Sequence, residues 1–172
     1  MIRLILATAV AALSVPAHAE VKSASASHFE VEGKAIVAVP PAAAYAMLGR
    51  VGDWWSAGHT YSGSTANLVM ELRAGGCFCE RTPKDGGTIE HLRIVQARPG
   101  TLVRATGGLG PLQGEALIGT LTWSFKAVPG GTEITQNYSV SGRSRTSLET
   151  LAPMVDRMLA EQLEGLRKRL AP

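Results

Sequence analysis

Hydrophobic and polar residues alternate along most of the chain between residues 28 and 140, as in strands with one buried face. Residues 28–39 predict a first strand, with a kink near Gly33, that ends at the two prolines Pro40 and Pro41. A short helix is predicted directly after them, over residues 41–48, and a second short helix or turn over residues 51–55.

Turn-forming residues divide the middle of the chain into a series of strands. Clusters of glycine and proline at 74–76, 83–87, 98–100 and 129–131 predict turns, and the glycine-rich segment 107–111 predicts a loop. The segments between them predict antiparallel strands over residues 67–73, 77–82, 88–97, 101–106, 120–127 and 133–140.

The last segment has a helical period. Apolar residues recur at spacings of three and four from Leu148 to Leu170, which predicts one long amphipathic helix over residues 147–170. The fold class is therefore α+β: a curved antiparallel sheet of about seven strands wrapped around a C-terminal helix, with two short helices after the first strand. Because one helix cannot fill the concave face of such a sheet, we expect a pocket between them.

The N-terminus has the pattern of a secretory signal peptide. Arg3 precedes an apolar run over residues 4–15, and Ala17, His18 and Ala19 form a cleavage site. The run is too short to span a bilayer. We therefore expect a signal peptide at residues 1–19, a flexible arm at 20–27, a folded domain at 28–172, a periplasmic location, and no stable membrane span after cleavage.

Charge and composition exclude several classes of protein. The 172 residues include 17 basic and 14 acidic ones, a net charge of +3, which becomes +2 when Arg3 leaves with the leader. Without a basic cluster, nucleic acid is not an expected partner. The hydrophobic share of 45% argues against disorder, and two cysteines are too few for a disulfide scaffold.

Candidate ligand contacts are the aromatic, methionine, histidine and cysteine side chains predicted to face the pocket. They form its apolar wall, and His59 or His91 would orient a polar end of the ligand. The complete set is Trp54, Trp55, His59, Met70, Cys79, His91, Trp123, Tyr138, Met154 and Met158.

Cys77 and Cys79 lie on the same face of one predicted strand. Three interpretations remain open: two thiols lining the pocket, a disulfide, or half of a metal site completed by His91. His91 shares their face if it lies opposite Cys79, and points away if it lies opposite Glu80. Since structural zinc usually has four nitrogen or sulfur ligands, no metal and no other cofactor is expected.

Three functions fit these residues. The first is an exported carrier for a small hydrophobic or lipid-like molecule, in which no residue needs to act as an acid or base. The second is a cyclase or dehydratase that uses His59, Glu71 and His91 in the pocket. The third is an envelope module that assists folding or binds another protein. Motifs for serine hydrolases, zinc peptidases and phosphate-binding loops are missing from the sequence.

Several motifs resemble the START-like (SRPBCC) helix-grip superfamily. They are the sequence PPAAAY at residues 40–45, the sequence DWW at residues 53–55, ELRAGGCF at residues 71–78, and the C-terminal helix. The nearest branch resembles homologues of the heat-shock-protein ATPase activators and the polyketide cyclase/dehydrase and lipid-transport proteins. The resemblance implies a helix-grip fold over residues 29–170, with Trp54 and Trp55 as the lid of a cavity and Gly75 and Gly76 as a turn. Members bind lipids, hormones or polyketides, act as cyclases, or assist a chaperone.

Overall fold

The computed structural model describes residues 18–171, so that residues 1–17 of the predicted leader lie outside it. The strands are β1 (His18–Ser25), β2 (His28–Val37), β3 (Leu68–Met70), β4 (Cys77–Thr82), β5 (Gly87–Arg98), β6 (Leu102–Thr106), β7 (Ala116–Val128) and β8 (Gly131–Arg143). The α-helices are α1 (Pro41–Gly49) and α2 (Leu148–Arg169). Short 3-10 helices occur at Val51–Asp53, Ala57–His59, Thr65–Asn67 and Gly110–Gly114.

All eight strands form one antiparallel sheet in the order β1-β2-β8-β7-β6-β5-β4-β3. The sheet curves around α2, which confirms the predicted α+β helix-grip fold. Within residues 18–171, neither α1 nor α2 has the length and hydrophobicity needed to cross a membrane.

The sheet has one strand more than the sequence predicts, because β1 occupies residues 20–25 of the segment expected to be a flexible arm, together with the last two residues of the predicted leader. It pairs with β2 along its length, with an irregularity between Val21 and Ser23. Its side chains remain largely exposed, and Val21 itself is 37% exposed. The strand is held by backbone hydrogen bonds with little apolar burial, so its side chains carry no alternating pattern that would reveal it.

Strand β2 is regular, and the kink predicted near Gly33 is absent from it. Phe29, Val31, Ala35 and Val37 are all buried, and the pairing of β2 with β8 continues through Gly33 without a shift. Every second residue of β2 faces the core, and Gly33 takes the position between Val31 and Ala35 in this series. It therefore lies on the buried face and does not interrupt the alternation.

Helix α2 covers only part of the sheet. Its buried stripe includes Leu148, Leu159, Leu163 and Leu166, and it packs across β1 and β2 at one side of the curve. The chain between α1 and β3 and the loop between β6 and β7 cover the opposite side, near β5. This division leaves an opening beside α2.

Trp54 is hydrogen-bonded to α1 and lies close to α2. Its indole Nε1–H lies within hydrogen-bonding distance of the carbonyl oxygens of Met47 (3.1 Å) and Leu48 (3.2 Å). On the facing helix, a Cβ atom at Gly165 would lie 2.3 Å from the carbonyl oxygen of Trp54. Glycine at this position therefore allows the two segments to approach closely.

Candidate ligand-binding cavity

A cavity of about 430 Å³ opens between α2, the segment after α1, the loop after β6 and the strand β5. Helix α2 contributes Leu151, Met154, Val155 and Met158. Their spacing of three, four and seven residues places them on one helical face, beside the stripe that faces the core. Met154 is 57% exposed and lies at the mouth.

The segment containing Trp55 and Tyr61 forms a second wall. The Trp55 Nε1–H donates to the carbonyl oxygen of His59 (3.0 Å), and its ring packs edge-on against Phe78 with centroids 4.9 Å apart. The backbone N–H of Ser56 donates to Oε1 of Gln162 on α2 (2.8 Å). These contacts tie the wall to both the sheet and the helix.

The loop after β6 forms the third wall through Leu109, Pro111 and Leu112. Tyr138 holds it: its hydroxyl donates to the carbonyl oxygen of Gly107 (2.9 Å) and accepts from the N–H of Leu109 (3.0 Å). Burial raises the pKa of Tyr138 to about 12, so the hydroxyl keeps its proton. A Cβ atom at Gly119 would lie 2.4 Å from this ring, so glycine provides the space for it.

His91 is the polar group on the sheet side of the cavity, and Glu80 of β4 holds it. The His91 Nε2 lies 2.9 Å from Oε2 of Glu80, with both side chains buried. The Glu80 carboxylate also accepts the backbone N–H groups of Tyr61 (3.2 Å) and Ser62 (2.5 Å). It therefore anchors the histidine and the loop above it together.

A β-bulge gives His91 its position. Phe78 lies opposite Leu92 and Cys79 lies opposite Glu90, so His91 is the extra residue of β5 and faces neither Cys79 nor Glu80 across the ladder. The bulge turns its side chain inward, although Leu92 beside it is also buried. Neither register considered from the sequence therefore occurs.

The surroundings of Glu80 and His91 lower the pKa of both side chains, so that one is charged and the other neutral at pH 7. Burial raises the pKa of Glu80, but hydrogen bonds from Ser62, Tyr61 and His91 outweigh it and hold the pKa below the usual 4.5. Burial lowers the pKa of His91 below 6.5, and Glu80 offsets this only in part. At neutral pH, Glu80 is a carboxylate and His91 is a neutral imidazole.

These charge states determine which ring nitrogen carries the proton. A carboxylate can only accept, so the neutral His91 carries its proton on Nε2 and keeps a lone pair on Nδ1. The Nδ1 makes no hydrogen bond to residues 18–171 and is not a buried unsatisfied atom, so it keeps some exposure, and His91 is one of the residues that line the cavity. Tyr61 stacks on the ring with centroids 6.0 Å apart, and Phe78 packs at 4.9 Å.

Two of the three residues considered as an acid and base set, His59 and His91, line the cavity, whereas Glu71 does not. His59 lies at the rim, where its Nε2 is 3.0 Å from Oε2 of Glu161 and its side chain is 37% exposed. Glu71 points outward and pairs with Arg73 (3.0 Å). His91 is paired instead with Glu80, which sequence reasoning did not consider as a site residue. The alternation of β4 was a usable signal, because Phe78 and Glu80 occupy the same face.

The structure places half of the candidate ligand contacts at the cavity. Trp55, His59, His91, Met154 and Met158 line it. The other five lie outside the lining: Cys79 is on the face of β4 opposite Phe78 and Glu80, and the remaining four are buried in the core, namely Trp54, Met70, Trp123 and Tyr138. Trp123, for example, is fully buried and donates its Nε1–H to Gln136 (2.9 Å).

Cys77 and Cys79 are joined in a disulfide, with their Cα atoms 5.4 Å apart. The interpretations as thiols lining the pocket and as metal ligands are therefore wrong for this state, because both sulfur atoms are bonded to each other. Among residues 18–171, no group of three or more His, Cys, Asp or Glu side chains is arranged to hold a metal ion.

The fold and cavity agree with a comparison at the level of sequence families. The model of the family described as polyketide cyclase/dehydrase and lipid transport matches residues 28–171. The chain belongs to this family. It is thus a member of the SRPBCC helix-grip superfamily, whose fold binds small hydrophobic ligands. No curated protein matches the sequence.

Solved structures show the same fold at low sequence identity. An uncharacterized protein from Rhizobium leguminosarum is 16% identical with a TM-score of 0.61, over 91% of this chain and 98% of that one. The Aha1 dimer from Colwellia psychrerythraea is 14% identical with a TM-score of 0.58, over 82% and 95%. CalU16 from Micromonospora echinospora is 11% identical with a TM-score of 0.57, over 91% and 83%. At these identities the likeness concerns the fold alone.

Proposed function

We propose that this protein is an exported carrier that holds one small hydrophobic molecule in the cavity beside α2. The observation that carries the proposal is a space of about 430 Å³ with apolar side chains on three walls and one oriented imidazole on the sheet side. An apolar body with a single polar end is the kind of molecule that matches these walls.

Burial of the ligand's apolar surface supplies the affinity. At about 25 cal/mol per Å², a ligand that buries roughly 200 Å² of apolar surface gains about 5 kcal/mol before the cost of association. No acid or base step is required for this function. The exposed side chain of Met154 at the mouth gives the ligand an apolar entrance.

The signal pattern at residues 1–19 and the bond between Cys77 and Cys79 both support export, since disulfides persist in oxidising compartments. The test is fractionation of the native host followed by N-terminal sequencing. We expect periplasmic protein that begins at Glu20. A protein retained in the cytoplasm with its first residues intact would contradict export and leave the binding function untouched.

Binding is tested by native mass spectrometry of protein purified from its own compartment, with a variant that fills the cavity. Val155→Trp places a large ring in the lining, while Arg157→Trp adds the same ring at an exposed position two residues along α2. We expect a retained lipid-like mass in the wild type and in Arg157→Trp, and its loss in Val155→Trp. A consistently empty wild type that captures a protein partner would instead favour the folding-assistance module.

A second candidate function is acid and base catalysis of the cyclase or dehydratase kind. The observation that favours it is the buried pair of Glu80 and His91, because a neutral imidazole oriented by a carboxylate can act as a general base. The two functions differ in outcome. A carrier returns the retained molecule unchanged, whereas an enzyme returns a molecule that has lost water or closed a ring, at a rate abolished in His91→Phe.

A further inference from the structure

We infer that the cavity selects ligands whose polar end donates a hydrogen bond, such as a phenol, enol or alcohol, and that Nδ1 of His91 is the acceptor. This inference rests on the proposed function, since it names the chemical class of the molecule bound there. It assigns to Glu80 the role of a positioning residue that holds the imidazole from behind.

The direction of the hydrogen bond follows from the contacts of the ring. Nε2 of His91 is engaged by Glu80 at 2.9 Å, and the same carboxylate is held by the backbone N–H groups of Tyr61 and Ser62. A carboxylate that accepts from three donors stays ionised, and it requires the proton of the imidazole on Nε2. Because burial of His91 lowers its pKa below 6.5 and keeps the imidazole neutral, the nitrogen left for a ligand is an acceptor.

The orientation of this acceptor is fixed before a ligand arrives. Tyr61 stacks on the His91 ring with an interplanar angle of 26°, and Phe78 packs at 4.9 Å. The ring therefore cannot rotate without disturbing the hydrogen bond to Glu80 and both aromatic contacts. A preoriented acceptor costs little entropy when the ligand binds.

Charge around the ring disfavours an anionic ligand. The groups that face it are Glu80 from β4 and the ring of Tyr61 from the loop above, while His59 at the rim is engaged by Glu161 of α2. The α2 wall itself contributes only the apolar side chains of Leu151, Met154, Val155 and Met158. A ligand carboxylate would thus face the lone pair on Nδ1 of His91, with the negative charge of Glu80 on the other side of the ring.

The inference can be tested with three probes of one shape: 4-hexylphenol, its methyl ether 4-hexylanisole, and 4-hexylbenzoate. Binding is measured by calorimetry at pH 7.5. One neutral hydrogen bond corresponds to about tenfold in affinity, so we expect the phenol to bind about tenfold more tightly than the ether, and the benzoate to bind most weakly. His91→Phe keeps a ring of similar size and is expected to abolish the preference for the phenol while retaining binding of the ether.

The proton position is measured directly, so the test does not depend on the variant folding. Protein labelled with ¹⁵N-histidine is expected to show the His91 proton on Nε2 and an unprotonated Nδ1, whose resonance moves when the phenol is added and stays in place with the ether. The Glu80→Gln variant provides a second measurement. Its amide can donate to Nε2, which moves the proton to Nδ1 and shifts the preference toward the ether.

Each outcome is decisive. Equal affinity of phenol and ether, tightest binding of the benzoate, or a proton found on Nδ1 in the free wild type would overturn the inference and leave the carrier function standing. Failure of all three probes to bind would overturn the carrier function together with the inference. A tenfold preference for the phenol that disappears in His91→Phe supports both.

Discussion

The hydroxyl oxygen of Tyr138 lies 2.9 Å from the carbonyl oxygen of Gly107, which joins the centre of β8 to the first residue of the loop that walls the cavity. The same oxygen accepts from the N–H of Leu109 at 3.0 Å. The Tyr138 ring and the N–H of Leu109 are buried, so solvent cannot replace the tyrosine at that N–H. One side chain in the core therefore determines the position of a wall that it does not itself line.

Tyr138→Phe removes both hydrogen bonds and leaves the ring in place. We expect the free energy of unfolding to fall by about 1–3 kcal/mol, because the buried N–H of Leu109 and the part-buried carbonyl of Gly107 lose their partner. The amide of Leu109 should exchange its hydrogen faster, and affinity for a hydrophobic probe should fall. Tyr61→Phe is the control for stability, since the Tyr61 hydroxyl makes no hydrogen bond to residues 18–171. Unchanged exchange at Leu109 in Tyr138→Phe would show that the bond does not hold the loop.

The sequence predicts those elements whose side chains alternate between core and solvent. Strand β4 was predicted with its observed bounds because turn residues flank it at 74–76 and 83–87. Helix α2 was predicted within one residue at each end because its apolar residues recur at spacings of three and four. Strand β3 is shorter than predicted, since the chain turns after Met70 and the N–H of Glu71 bonds the carbonyl oxygen of Cys77. The alternation of apolar and polar residues contains no information about such a local hydrogen bond.

The pair of Glu80 and His91 could not be predicted from the alternation of apolar and polar residues alone. A bulge at His91 depends on how β4 and β5 align, which is a property of two strands together. The burial of Glu80 contradicts the usual exposure of carboxylates, and it is stabilised by His91 and by two backbone N–H groups of the loop at residues 61–62. The partner of each residue is distant in sequence, so neither strand shows the pair by itself.

Acidification is expected to destabilise the protein through this pair. The pKa of His91 is lowered in the folded state, so below its usual value of 6.5 the unfolded chain binds a proton that the folded chain resists. Stability is therefore complete above about pH 7 and falls as the pH is lowered from 6.5 through the folded pKa of His91. The lowered pKa of Glu80 adds a second loss below pH 4.5. Urea unfolding at a series of pH values measures both.

The control for this pH dependence is His91→Phe, which cannot be protonated. Its unfolding free energy should be lower at neutral pH, because Glu80 loses a donor, and should change less between pH 7 and 5 than that of the wild type. An unchanged slope in the variant would place the titration at another group. The phenol probe should also bind wild-type protein more weakly as His91 becomes protonated, because Nδ1 then ceases to accept.

The disulfide between Cys77 and Cys79 should affect the cavity more than it affects stability. It closes a loop of only three residues, for which chain entropy gives about 1.5 kcal/mol. Phe78 between the cysteines is fully buried and contacts both Trp55 and His91. In the Cys77→Ser, Cys79→Ser double variant we expect a loss of about 1.5 kcal/mol or less in unfolding free energy, together with a change in probe affinity. Calorimetry of probe binding and urea unfolding separate the two effects, and a large loss of stability with unaltered affinity would contradict this expectation.

Substitution of Gly165 by alanine is expected to raise the free energy of unfolding through helix propensity and to lower it through packing. On propensity alone, Gly→Ala inside a helix stabilises it by about 1 kcal/mol. At this position the added Cβ would lie 2.3 Å from the carbonyl oxygen of Trp54, so α2 or the segment after α1 must move. We expect Gly165→Ala to lower the free energy of unfolding by about 1–3 kcal/mol, as overpacking does elsewhere. It should also weaken probe binding, since Trp55 of the displaced segment lines the cavity. Urea unfolding measures whether the free energy of unfolding rises or falls. A stabilised Gly165→Ala protein would mean that α2 and Trp54 can move apart at little cost.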